Sequence, residues 1–98
     1  MQNKFLSLLG MARKANRVSL GYDKALDAVH SGNSHAVFLA SDLSQKTKRG
    51  LVFAAEEYEI PVISTEFSIF EITNAVGTKT GVVSVNDAGF VKKLLTLI

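Results

Sequence analysis

The apolar residues of this chain switch repeatedly between periods of about 3.6 and about 2, and that switching constrains the fold more than any single motif. Asn3 is placed to cap a first helix whose apolar face is Phe5, Leu8, Leu9 and Ala12, spaced i, i+3, i+4, i+7. Val18–Leu20 reads as a short strand. Tyr22, Ala25, Leu26 and Val29 then repeat the helical spacing, and Gly32 is a natural stop. His35–Ala40 is a continuous apolar run, which predicts a strand covered on both faces. Ser44 opens a long helix with Leu51, Ala54, Ala55 and Tyr58 inward. Gly50 inside it costs about 1 kcal/mol against Ala, so close packing is the expected reason for it.

Pro61–Ser64 is the next strand. Ser68 and Glu71 form a capping box, each side chain satisfying the other's end of a helix start, and the helix runs to Gly77. Gly81–Asn86 is a fourth strand, and Asp87 caps a last helix with Val91, Leu94, Leu95 and Ile98 inward. Alternating helices and strands of this kind predict an α/β fold: a three-layer α/β/α sandwich with a four-stranded mixed sheet and helices on both faces. No linker or repeat interrupts the pattern, so residues 1–98 are expected to form one domain.

At 98 residues and 47% hydrophobic, with mean hydropathy +0.20, the chain has enough apolar material for a core and is no disordered basic tail. It has no cysteine, which excludes disulfides and thiolate metal sites. Runs such as Ala36-Val37-Phe38-Leu39-Ala40 are far too short to cross a bilayer. The N-terminal helix pattern lacks a small-residue cleavage site, so a cytoplasmic location is expected.

The charges are unevenly placed. Residues 1–50 hold eight of the eleven Lys and Arg but three of the nine acids, a balance of +5; residues 51–98 carry −3. Gly21-Tyr22-Asp23-Lys24 opens a helix directly after a strand, and such a turn presents free backbone N–H groups and the positive helix end. In strand-then-helix units the helix starts gather at the carboxyl edge of the strands, which brings Lys24 beside Lys46, Lys48 and Arg49. Arg13, Lys14 and Arg17 surround the same turn in sequence. A cation in a first helical turn opposes the macrodipole by roughly 0.3–1 kcal/mol, so stability alone does not select these residues. An anionic partner does, and structured RNA is the expected one, engaged through Lys14, Arg17, Lys24, Lys46 and Arg49.

Catalytic patterns are weak by comparison. His30 and His35 lack metal-type partners at i+4, and no G-x-S-x-G elbow is present. Neither G-x-G-x-x-G nor G-x-x-x-x-G-K-[ST] occurs, and Glu56, Glu57 and Glu59 form a solvated helix end. No catalytic set, cofactor, metal or small-molecule substrate is expected.

Several words of the sequence carry a resemblance. They are Leu9-Gly10-Met11-Ala12-Arg13-Lys14-Ala15 with Arg17, then Leu20-Gly21-Tyr22-Asp23-Lys24-Ala25-Leu26 and Ser31-Gly32. Val37-Phe38-Leu39-Ala40-Ser41-Asp42, Ile60-Pro61-Val62 and Glu71-Ile72-Thr73-Asn74-Ala75-Val76-Gly77 follow in the same order. From Leu8 to the C-terminus the chain resembles the ribosomal proteins L-seven-Ae and L-thirty-e and their small bacterial relatives, RNA binders of the kink-turn type. The resemblance implies the same α/β/α sandwich, and RNA contacts at Gly21, Tyr22, Asp23, Lys24 and Asp27. It implies a second contact in the loop Thr65-Glu66-Phe67.

The family reads sheared G·A pairs of a kinked stem with G-A-N-E-x-x-K or G-Y-K-Q-x-x-K. Gly21 and Tyr22 match that pattern, whereas Asp23 stands for Asn or Lys, Lys24 for Glu or Gln, and Asp27 for Lys. Asp23 accepts hydrogen bonds but cannot donate, Lys24 donates but cannot accept, and Asp27 repels phosphate. Glu66 adds a further negative charge, and Thr73 replaces a glycine of E-L-G-x-A-x-G. A small non-catalytic RNA binder is the leading expectation. A protein-interaction or dimerisation module on the same fold is the alternative, favoured by Asp23, Asp27, Glu66 and the apolar Leu94–Ile98 tail. An enzyme acting on a phosphate at the basic edge ranks third.

Overall fold

The structure is a computed structural model and describes residues 3–98. Five helices and four strands alternate along it: α1 (Lys4–Lys14), β1 (Val18–Leu20), α2 (Tyr22–His30), β2 (Ala36–Leu39), α3 (Gln45–Glu57), β3 (Val62–Ser64), α4 (Ile69–Val76), β4 (Val82–Val85) and α5 (Ala88–Leu95). Polar side chains set the helix starts. The N–H of Leu6 donates to the Asn3 amide oxygen at 3.1 Å, and that of Phe90 to the Asp87 carboxylate at 2.9 Å. Thr47 N–H donates to Ser44 at 3.2 Å, and Ser68 and Glu71 form both halves of the capping box. Gly77 closes α4 in the left-handed region at φ +79°.

The sheet is mixed, in the order β1-β4-β2-β3. Val37 to Leu39 pair parallel with Val62 to Ser64, while β4 runs antiparallel to both β1 and β2. Strands β1, β2 and β3 therefore point the same way, with β4 reversed between β1 and β2. Alternation across the pleat divides the core. Phe38, Val83, Val85 and Ala36 face α1, α4 and α5, whereas Val37, Leu39 and Val82 face α2 and α3. On the first face Phe5 stacks on Phe67 with centroids 5.2 Å apart and meets Phe38 edge-on at 5.4 Å, geometries that aromatic quadrupoles favour. On the second, buried Ser84 bonds Ser34 at 2.8 Å and Asn86 at 2.7 Å, and Asn86 donates onward to Ser19 at 2.9 Å. With these bonds, no buried side-chain nitrogen or oxygen among the described residues is left without a partner.

Several expected details move. Tyr58 is the C-cap of α3, 42% exposed and tilted against His30, because the helix ends at Glu57 and Glu59 turns left-handed at φ +57°. Leu95, the last residue of α5, lies beside the buried stripe of Val91 and Leu94 and is exposed, and a tight turn after it carries Ile98 off that stripe. Ala28 is buried on α2, where Leu26 is only half-buried. Strands β2, β3 and β4 are shorter than their apolar runs by one or two residues. Gly50 has the packing reason expected of it: a Cβ there would collide with the Tyr22 hydroxyl. Thr73 also has a role, its hydroxyl accepting the Thr80 N–H at 3.1 Å and so tying the loop before β4 to α4.

Candidate nucleic-acid interface

Because β1, β2 and β3 are co-directional, the helices that follow them all begin at one edge of the sheet. The starts of α2, α3 and α4 meet there, together with the loop entering β4. Two of the three starts are capped by their own serines. Asp42 adds a tie between them, accepting the Ile69 N–H at 2.8 Å and so fixing the β2–α3 loop against α4. The start of α2 differs. Gly21 sits at φ +94°, ψ 166°, offers no side-chain cap, and leaves the first N–H groups of α2 without a side-chain partner. Its own N–H is spent on Val82 O at 2.9 Å, which fastens the turn to the sheet.

Side chains around that edge sort clearly. Asp23, Lys24 and Asp27 are exposed on α2, and Tyr22, 37% exposed, leans on Gly50 of α3. Lys46 and Arg49 are exposed on the first turns of α3, with Lys48 half-buried. Among the described residues the single ion pair within 4.0 Å joins Arg17 and Asp87, so Lys24, Lys46, Lys48 and Arg49 carry no carboxylate partner. Exposed cations without partners, next to outward N–H groups, make an anion-binding surface.

Lys14 and Arg17 are not on it. Lys14 ends α1 and Arg17 precedes β1, at the opposite end of the strand from Gly21. Arg17 is held there by Asp87 at 3.9 Å and by its carbonyl, which accepts the Asn86 N–H at 2.7 Å. The strand between is three residues long, but its two ends belong to opposite edges of the sheet. Residues near the same turn in sequence are thus separated by the direction of one strand.

The loop Thr65-Glu66-Phe67 does reach the edge, though mostly through its backbone. The Thr65 hydroxyl donates to Leu39 O at 2.8 Å, and the Phe67 ring is buried against Phe5, leaving Glu66 as the exposed side chain. Phe67 O is occupied by the Ser41 N–H at 2.8 Å.

Two features were not visible as motifs. A cleft of about 500 Å³ lies beside the free edge of β1, with Lys24 and Thr78 toward the helix-start edge and Arg13 and Asn16 toward the other. Lys24 and Asp27 line it, so the α2 surface turns toward β1 rather than only toward the loops. Phe53 and Phe70 are 79% and 73% exposed, one on α3 and one in the first turn of α4. Their signal in the sequence is negative: neither falls on the inward stripe of its helix. Among the described residues no group of three His, Asp or Glu is placed to hold a metal ion, and no helix is long and apolar enough to cross a membrane.

Comparisons with known proteins bear on the family and the fold. The profile of the Ribosomal protein L7Ae/L30e/S12e/Gadd45 family matches residues 3–95. The chain is similar to a protein of Enterococcus faecium named RNA-binding protein YlxQ, 31% identical over 97 residues that cover 99% of this chain and 93% of the relative. A Bacillus subtilis protein of the same name is 28% identical over 96 residues, covering 97% and 95%. A solved structure of a protein of unknown function from Bacillus halodurans C superposes with TM-score 0.91 at 35% identity, over 98% of this chain and 97% of that one. A Giardia lamblia 15.5kD RNA binding protein shares the fold, with TM-score 0.75 at 22% identity over 95% and 86%.

Proposed function

Since this chain belongs to the Ribosomal protein L7Ae/L30e/S12e/Gadd45 family, we propose that it is a small RNA-binding protein that recognises structured RNA at the helix-start edge of its sheet. The observation that carries this reading is the meeting of three helix starts with four cations that lack carboxylate partners, on α2 and α3. Lys24, Lys46 and Arg49 meet phosphates, and the N–H groups at the start of α2 add a fixed partial positive charge. Tyr22, seated on Gly50, and the Gly21 turn give the edge a shape against which a bent RNA fits. Asp23 and Lys24 are the side chains placed to read base edges. The protein binds and does not catalyse, it acts in the cytoplasm, and ribosomal RNA is the first class of target.

The names of the two YlxQ relatives support the RNA partner. The test is a filter-binding titration of the purified chain with ribosomal RNA fragments across a salt series. Log affinity should fall with log salt by about 0.7–0.9 per phosphate contact. A flat dependence, or no binding to any fragment at low salt, would overturn the proposal.

A further inference from the structure

Helix α3 carries an outer face that the core does not use. Leu51 and Ala55 point inward, while Val52 and Phe53, 39% and 79% exposed, point out. A shallow groove of about 390 Å³ lies on this face, lined by Gln45, Lys48, Arg49, Val52, Phe53 and Glu56. The Phe53 ring thus presents a flat apolar face to solvent. Arg49 lies one turn before Phe53 and Lys46 two turns before, on the same stripe of the helix. No acid occurs from Leu43 to Ala55, and Glu56 and Glu57 begin only beyond the ring. The face therefore runs from positive at the helix-start edge, through one flat aromatic, to negative at the far end.

We infer that Phe53 is a stacking platform for one unpaired base of the RNA, with Arg49 and Lys46 holding the phosphates that lead to it. This inference rests on the RNA reading above. Charge chooses the occupant. A strand leaving the helix-start edge along α3 meets cations up to Phe53 and is repelled at Glu56 and Glu57, which limits the site to a nucleotide or so. Two apolar side chains ringed by charged ones are too small a centre for a stable protein interface, which buries about 800 Å² per partner around an apolar core. They suit a single base, since base–aromatic stacking needs one π-face and cationic neighbours.

The experiment compares a blunt RNA stem containing tandem G·A pairs with the same stem carrying a short unpaired extension, at either end, with 2-aminopurine in the extension. The extended RNA should bind at least about fivefold more tightly, the lower limit for one stacked base, with a change in 2-aminopurine fluorescence. Phe53→Ala, at so exposed a position, should keep its melting temperature and its affinity for the blunt stem while losing the increment. Phe53→Trp should retain it. Equal affinity of the native chain for both RNAs, or an increment that survives Phe53→Ala, overturns the stacking site while leaving the RNA reading intact. Failure to bind either RNA at low salt overturns the stacking site, and overturns the RNA reading as well where every ribosomal RNA fragment also fails to bind. Self-association that depends on concentration and disappears in Phe53→Ala assigns this face to a second copy and overturns it as well.

Discussion

Three glycines show how different a missing side chain can be. Gly21 has open space where a Cβ would stand, so the obstacle there is its φ of +94° alone. Gly21→Ala should destabilise the fold by about 1–3 kcal/mol, read by urea unfolding, because the turn must hold a sparsely populated conformation. Gly21→Val should in addition lose RNA binding. It should still fold, since nothing stands within 4 Å of where the Cβ would be, at the backbone cost just given. Gly10 is ordinary in backbone but crowded: a Cβ would stand 2.8 Å from Ala75 O, and a helix backbone cannot move aside. Gly50 is crowded too, but by the Tyr22 hydroxyl at the end of a partly exposed side chain that can swing out. Gly10→Ala should therefore cost about 1–3 kcal/mol by overpacking. In Gly50→Ala the helix-propensity gain of about 1 kcal/mol offsets most of the clash, leaving stability nearly unchanged. Paired urea melts decide this, and a larger loss at Gly50 than at Gly10 would contradict the packing argument.

At the scale of elements, strand direction decides which cations act together. Lys24, Lys46 and Arg49 stand where helices begin, whereas Arg17 stands where β1 begins and is engaged with Asp87. Lys24→Ala and Arg49→Ala should each weaken RNA binding and reduce the salt slope by about 0.7–0.9. Arg17→Ala should change neither, and the exposed pair it breaks contributes at most about 1 kcal/mol to stability. An Arg17 effect equal to that of Lys24 would put the RNA on the other end of the strand. Arg17 and Lys24 lie within four residues of Gly21, but the three residues of β1 between them put them at opposite edges of the sheet, a separation that nearness in sequence hides. Tyr58, Leu95 and Ile98 escaped for a related reason. For Tyr58 and Ile98, periodicity continues numerically past a helix end, but the left-handed Glu59 and the turn after Leu95 break the stripe; Leu95 itself lies at the margin of the stripe that Val91 and Leu94 bury. Caps, by contrast, are local chemistry, and Asn3, Ser44, Ser68 and Asp87 each hold the helix start that their side chains predict.

For the whole molecule, layer order and the two apolar faces were legible because each element's pattern already demands cover on a given side. The position of β4 between β1 and β2 was not, since it depends on pairing Val18–Leu20 with Val83–Val85 across most of the chain. The same limit applies to the RNA target. The fold sets three helix starts at one edge of the sheet, but the identity of the bound RNA turns on a few exposed side chains that packing does not constrain. Asp23, Lys24 and Asp27 all project from α2, and none has an ion-pair partner within 4.0 Å among the described residues. Each of these charges therefore stands at the surface without an ion pair of its own. Asp23 cannot donate to a base, Lys24 cannot accept from one, and Asp27 sits on the cleft wall where a phosphate backbone would pass. A standard kink-turn RNA should accordingly bind no better than a plain duplex of the same length. Asp23→Asn, Lys24→Glu and Asp27→Lys together should then favour the kink-turn over the duplex, although they leave the net charge of the three positions changed only from −1 to 0. Because a charge change that small cannot by itself discriminate between two RNAs of equal length, a gain confined to the kink-turn would locate base reading in these side chains. Tight, kink-dependent binding by the unsubstituted chain, measured in the same gel-shift series, would show instead that backbone shape at Gly21 and Tyr22 suffices for recognition.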